Sequence, residues 1–174
     1  VVIAALTMAV GVLGAIAQGD VKRILSFHIV SQIGYMVMGL ALFTVAGVAA
    51  AIYFTLHQIV VKTALFLTGG LVEHVGGSSR LSRVGGMFAT APVIAVLFLL
   101  PALSLAGFPP LSGFIGKFGL FDAGVESASW WVVAAAVVAA FLTLFSMTKI
   151  WAGVFWNPRE SEPQATPHPP CRWG

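Results

Sequence analysis

Charge is what this chain has least of. Among its 174 residues only 9% are charged, 59% are hydrophobic, and the mean hydropathy is +0.97. A soluble globule carries about 25% charged residues, so the composition excludes that class and places the chain in a lipid bilayer. Cysteine is scarce too: Cys171 stands alone in a polar tail, which excludes an internal disulfide. The chain has no P-loop, no dinucleotide fingerprint, no Cys/His metal spacing and no serine-nucleophile elbow. No cofactor and no metal is therefore expected. The net charge of +3 rests on too few groups to point to a nucleic-acid partner. An opening methionine and a charged leader are also missing, so the chain is read as a fragment that begins inside or at the edge of a helix.

What is there is a series of apolar stretches. Val1 to Ala17 is just long enough to span a bilayer. Leu25 to Val45, Val48 to Val72 and Trp130 to Trp156 are longer, and Met87 to Phe121 is longer still. The expected fold is all-α and membrane-integral, with about five transmembrane helices over residues 1–156 and a disordered, proline-rich polar tail over 157–174. Asp20 is placed to cap the second helix. Trp130 and Trp131 at one end of the last span, with Trp151 and Trp156 at the other, suit the two interfaces. Lys22, Arg23, Arg80 and Arg83 fall on one side of such a chain, with Lys149 and Arg159. The opposite side holds the uncharged turn near Gly47 and the acidic Asp122 and Glu126. The positive-inside rule makes the Lys22/Arg23 and Arg80/Arg83 loops cytoplasmic in a multi-pass plasma-membrane protein.

The fourth stretch cannot be one helix. Met87 to Phe121 carries a single charge, Lys117, and as an unbroken helix would reach about 50 Å, against a hydrocarbon core about 30 Å thick. Gly107, Pro109, Pro110 and Gly113 are expected to break it. Broken backbone at membrane depth survives only where protein or a water-filled cavity satisfies it, and transporters build ion sites on such breaks.

Ionisable residues inside the spans are the candidate site. Lys62 lies near the centre of its span, too deep for its stem to reach the interface. A lysine there needs a hydrated cavity or a partner, and a group that can change its charge state suits a proton relay. A structural lysine held by backbone carbonyls is the alternative. Lys117 could snorkel past Asp122, but its closeness to the break favours function. His57 lies about 140° around the helix from Lys62, so direct exchange between them is not established, and packing or relay remain open. His28 could give protons access from the cytoplasmic side, although a satisfied interfacial histidine fits its place near that face better. Lys149, near Trp156, is expected to snorkel.

Three ordered motifs then carry a resemblance. Gln18-Gly-Asp-Val-Lys-Arg through Tyr35-Met36, His57-Gln-Ile-Val-Val-Lys62 and Gly107-Phe-Pro-Pro-Leu-Ser-Gly-Phe-Ile-Gly-Lys117 resemble the antiporter-like membrane subunits of respiratory complex I and of Mrp-type cation/proton antiporters. The His28 form and the lysine at 117 are nearer to the D subunit of the Mrp-type Na+/H+ antiporters. The resemblance covers about residues 1 to 156. It implies part of a 14-helix fold with inverted repeats, one helix broken in each, of which this is a C-terminal fragment. It implies a transporter subunit in place of an enzyme, with Lys62 and Lys117 at relay positions, His57 assisting the relay between them, and Gln32 where some relatives place a histidine. Lipid, other antiporter-complex subunits, protons and monovalent cations (Na+) are the implied partners. The alternatives are a proton-pumping subunit of an NADH:quinone oxidoreductase or membrane hydrogenase, and an inactive fragment. The ending after Pro158 departs from the family pattern.

Overall fold

The computed structural model describes residues 1–157; the expected tail lies outside them. The chain forms α1 (Val2–Ala17), α2 (Val21–Ala41), α3 (Val45–Gly76), α4 (Met87–Thr90), α5 (Pro92–Ala106), α6 (Ser112–Glu126) and α7 (Trp130–Trp151), closed by a π-helical turn, Ala152–Trp156. The described residues are nearly all helical. The helices α2, α3 and α7 with its π turn are long and apolar enough to cross a membrane, and α1 and α5 are shorter apolar helices. Large apolar side chains such as Ile3, Leu67, Val96 and Phe141 stand exposed, between 53% and 73%. In water such a surface would mark a docking patch; on a membrane-integral chain it suits lipid or a neighbouring apolar helix.

The expected break in the fourth stretch is present and is sharper than the spacing implied. Gly107 closes α5 in the left-handed region (φ 89°), Pro109–Pro110 is a cis bond, and α6 restarts at Ser112. Each half has 15 residues, about 22 Å, shorter than a hydrocarbon core about 30 Å thick. Gly113 is not part of the break. It is the second residue of α6, and its missing side chain lets that helix start lie against the Ser104 carbonyl of α5. A second interruption, unforeseen, separates α4 from α5 at Ala91. The residue before a proline is pushed out of helical geometry, and Pro92 opens α5 where a missing N–H costs nothing.

The helix boundaries also differ from expectation by about one turn. The second span runs Val21–Ala41 in place of Leu25 to Val45 because Asp20 starts it at once, its carboxylate accepting from the amides of Lys22 (3.0 Å) and Arg23 (3.3 Å). The third begins at Val45, where the Thr44 hydroxyl caps Gly47, and runs on to Gly77, a left-handed C-cap.

Asp20 does more than cap. Its other carboxylate oxygen accepts from the Ser79 hydroxyl at 2.5 Å. The Val21 amide donates to the Ser79 carbonyl and the Leu81 amide to the Gly19 carbonyl, both at 3.0 Å. This short antiparallel bridge between Asp20 and Arg80 clasps the α3–α4 loop onto the α1–α2 hinge, beside the Lys22–Glu73 ion pair. Partial burial raises the Asp20 pKa, but the Ser79 hydroxyl and the Arg23 and Lys22 amides outweigh it and hold the carboxyl below its usual value. A depressed folded pKa gives stability that is present above the unfolded value and lost as pH falls through the folded one. Asp20→Ala is expected to cost about 1–2 kcal/mol through the lost cap and clasp. Thermal unfolding in detergent should show a lowered midpoint at neutral pH, with the gap to the parent closing in strong acid.

Two buried clusters hold the helices together. One joins Leu25, Leu65, Phe98, Met147 and Phe155; the other joins Met8, Tyr35, Phe54, Leu120 and Val132. Gly11 lies so close to the Ser31 backbone that α1 and α2 meet nearly main chain to main chain. The polar residues of the site run between these clusters.

Candidate functional site

Lys117 is the most completely enclosed charge in the described chain, 3% exposed. It does not snorkel. Its Nζ turns inward and donates to the carbonyls of Leu105 (3.0 Å) and Ala106 (2.9 Å). These oxygens are free because α5 stops at Gly107, whose amide bonds further back to Leu103 and Ser104. The last carbonyls of a helix have no internal donor and carry the negative end of its dipole, so the broken helix supplies a cradle for a cation that rides on its own second half. Beside the break lies a cavity of about 240 Å³, lined by Lys117 itself and by apolar side chains that include Phe108, Phe118, Phe121 and Phe141.

His57 belongs to this end of the site. It is 8% exposed, and its Nδ1 shares a hydrogen bond of 3.0 Å with the Ser112 hydroxyl, which lies 3.3 Å from the Ser104 hydroxyl. The histidine on α3 thus holds both halves of the broken helix through two serines. Its Nε2 is buried with no protein partner.

Lys62 lies half-buried on α3, with its Nζ 3.4 Å from the Leu25 carbonyl of α2. A carbonyl partner at that length is a weak bond. The structure brings Lys62 to Leu25 of α2 and Lys117 to Tyr35, ten residues further along the same helix, where the ammonium lies 5.4 Å from the centre of the Tyr35 ring. Leu25, His28, Gln32 and Tyr35 follow at i, i+3, i+7 and i+10, one face of a helix, spanning about 15 Å. The two lysines are thereby placed at the ends of one stripe on α2.

The middle of that stripe is polar. His28 and Gln32 are at most 1% exposed. His28 Nε2 meets the Ser146 hydroxyl of α7 at 2.9 Å, while its Nδ1 and both amide atoms of Gln32 have no protein partner. Gln58 on α3, one turn before Lys62, is 4% exposed with both amide atoms likewise unpartnered. Buried polar atoms are nearly always bonded to something, and where protein does not supply the partner, ordered water does. The interfacial reading of His28 is corrected: because α2 starts at Val21, His28 lies two turns into the helix and is fully enclosed.

Lys149 also departs from expectation. It does not snorkel toward Trp156; its Nζ donates to the Ile16 and Gln18 carbonyls, both at 2.8 Å, and ties α7 to the end of α1. No role was read from the sequence for Ser104, Ser112, Tyr35 or Gln58. Ser112 and Tyr35 stand inside the quoted motifs, Tyr35 shares a helical face with His28 and Gln32, and Gln58 lies four residues from Lys62 on one face; Ser104 left no signal.

The comparisons with known proteins agree on one group. Residues 1–143 match the family described as NADH:quinone oxidoreductase/Mrp antiporter, TM. The chain is 48% identical over 165 residues to the D subunit of the Na(+)/H(+) antiporter of Alkalihalophilus pseudofirmus, covering 94% of this chain and 34% of that protein. It is 33% identical to the corresponding D subunit of Bacillus subtilis, covering 93% and 33%. Among solved structures, the Mrp complex from Dietzia sp. DQ12-45-1b matches with a TM-score of 0.86 and 45% identity, over 91% of this chain and 30% of that one. Respiratory complex I from Thermus thermophilus with bound NADH matches with a TM-score of 0.85 and 27% identity, over 91% and 34%. The chain thus spans about a third of the length of the relatives it matches. Those shares of length do not assign it to the C-terminal part of a relative, the position its motifs implied.

Proposed function

The chain belongs to the NADH:quinone oxidoreductase/Mrp antiporter membrane family, and from that premise we propose that it is part of a proton-translocating subunit of a multi-subunit Na+/H+ antiporter. The observation that carries this reading is the arrangement of two lysines at the two ends of one polar stripe on α2, with Lys117 seated in a broken helix. Residues 1–156 act as one transmembrane region in this reading. Water at Gln32, Gln58, His28 and His57 completes the path, because each of these carries a buried polar atom without a protein partner. Amide groups bind water without taking up a proton, so the charge rests on the lysines and is passed between them. Two like charges in a medium of low dielectric repel, so a proton arriving at Lys62 favours departure from Lys117. His57 assists by holding the two half-helices that position Lys117. His28 gives protons access from the side of the Lys22/Arg23 hinge.

The clasp between Asp20 and Arg80 supports placing the Lys22/Arg23 and Arg80/Arg83 loops at one end of the bundle, and the positive-inside rule makes that end cytoplasmic. Other antiporter subunits are the partners, since the relatives named for this activity are subunits, and Na+ is the exchanged cation. A second reading, a proton-pumping subunit of a redox complex, draws on the likeness to complex I. The two separate in one experiment on membrane vesicles from a strain lacking the gene. Loss of Na+-dependent collapse of a pH gradient, with NADH-driven quinone reduction intact, is the expected result. Loss of quinone reduction with antiport intact would overturn it in favour of the second reading.

A further inference from the structure

We propose that Tyr35 is a positioning residue for the Lys117 ammonium, holding it over the carbonyls of Leu105 and Ala106 by the face of its ring. The proposal rests on the proton-relay reading given above and assigns a new part to a residue outside the relay. Tyr35 is fully buried in the bilayer-spanning part of α2. Its ring centre lies 5.4 Å from the Lys117 Nζ, inside the range where a cation is drawn to the negative face of an aromatic ring. Lys117 spends two donors on the carbonyls of α5. An ammonium has three donors and accepts nothing, so the ring faces a charge whose hydrogen bonds are incomplete.

The ring itself is fixed from two directions. The Tyr35 hydroxyl donates to the Ala136 carbonyl on α7 at 2.5 Å, and the Phe54 ring of α3 packs against it with centres 5.7 Å apart. Phe54 is in turn confined by Gly116, the residue before Lys117, where a side chain would come within 2.8 Å of the ring. Tyr35 therefore joins α2, α3 and α7 around the one charge on α6 that the break can receive. A ring at this place attracts the charged ammonium and has no comparable attraction for the neutral amine, so it favours the loaded state of Lys117. The carbonyls of Leu105 and Ala106 fix where the ammonium goes; Tyr35 adds to how strongly it is retained there.

The test is a ring series at position 35 in the full-length subunit within its assembled complex, read as Na+-driven collapse of a pH gradient. Tyr35→Phe keeps the ring and loses the Ala136 bond; Tyr35→Leu loses the ring. Stepwise fluorinated phenylalanines at position 35 keep shape while weakening the ring's negative face. The expected result is about a tenfold loss of rate for Tyr35→Leu, substantial rescue by Tyr35→Phe, and a graded change in log rate with each added fluorine. Equal rates across the fluorinated series, or equal loss in the Phe and Leu variants, would overturn the proposal in favour of plain packing. Lys117→Met in the same complex separates the two levels. If that variant retains transport, the relay reading fails; if it is inactive while the fluorinated series is flat, only the role of Tyr35 fails.

Discussion

Gly113→Ala is expected to lower proton movement at least a hundredfold, a larger effect than most changes of charge on the surface would have. The methyl group would be built into the Ser104 carbonyl oxygen and within 2.9 Å of His57 Nε2. One of those neighbours is backbone and cannot swing aside, so α6 has to move. Lys117 lies four residues further along α6, one turn away on the same face. Its two hydrogen bonds, at 3.0 and 2.9 Å, have no slack for a shift of an ångström. Misplacement on that scale costs about a hundredfold in rate, and the strain of overpacking adds about 1–3 kcal/mol. Ser112→Ala is the graded companion. It removes the hydroxyl between His57 and Ser104 but inserts nothing, so about 1 kcal/mol is lost and the rate falls less than tenfold. Rates in vesicles with equal amounts of assembled complex check both.

Lys117→Met is the second large effect, and it separates charge from shape. Methionine fills a similar unbranched volume but cannot hold a proton, so proton movement is expected to fall to background. The complex is still expected to assemble. The Leu105 and Ala106 carbonyls lose their donor, about 1–3 kcal/mol each, but the cost of keeping an ammonium 3% exposed disappears with it, and the two oppose each other. Lys117→Arg is expected to be equally inactive for the opposite reason. A guanidinium is always charged, so the cradle fills and never empties. An active arginine variant would show that Lys117 needs only to be positive, which is a structural role.

The break was legible in the sequence because its cause is local. Gly107, Pro109 and Pro110 constrain their own backbone, and the run's length against the bilayer demanded an interruption. Asp20 as a cap was legible for the same reason. Gly113 was assigned to the break because a glycine near prolines suggests bending; its actual reason, close approach to the Ser104 carbonyl, depends on how the end of α5 lies against the start of α6. The partners of the ionisable groups were out of reach. Lys62 meets Leu25, His57 meets Ser112 and Lys149 meets Ile16, contacts separated by 37, 55 and 133 residues. Helical periodicity orients each side chain on its own helix but does not state which neighbour it faces. Lys149 shows the consequence: its distance from Trp156 pointed to the interface, and α1 captured it first.

In the proposed relay, protons pass between Lys62 and Lys117 along the face of α2. The most direct test is the rate of Na+-driven pH-gradient collapse by the assembled complex carrying Lys62→Met, set beside Lys149→Met. Lys149 is also a membrane-side lysine bonded to backbone carbonyls, but it lies off the stripe and ties α7 to the end of α1. The account predicts background rates for Lys62→Met and a loss of no more than a few-fold for Lys149→Met, with both complexes assembled. A parental rate for Lys62→Met would contradict it, because the stripe on α2 would then lack its first proton-holding group and transport would have continued without it.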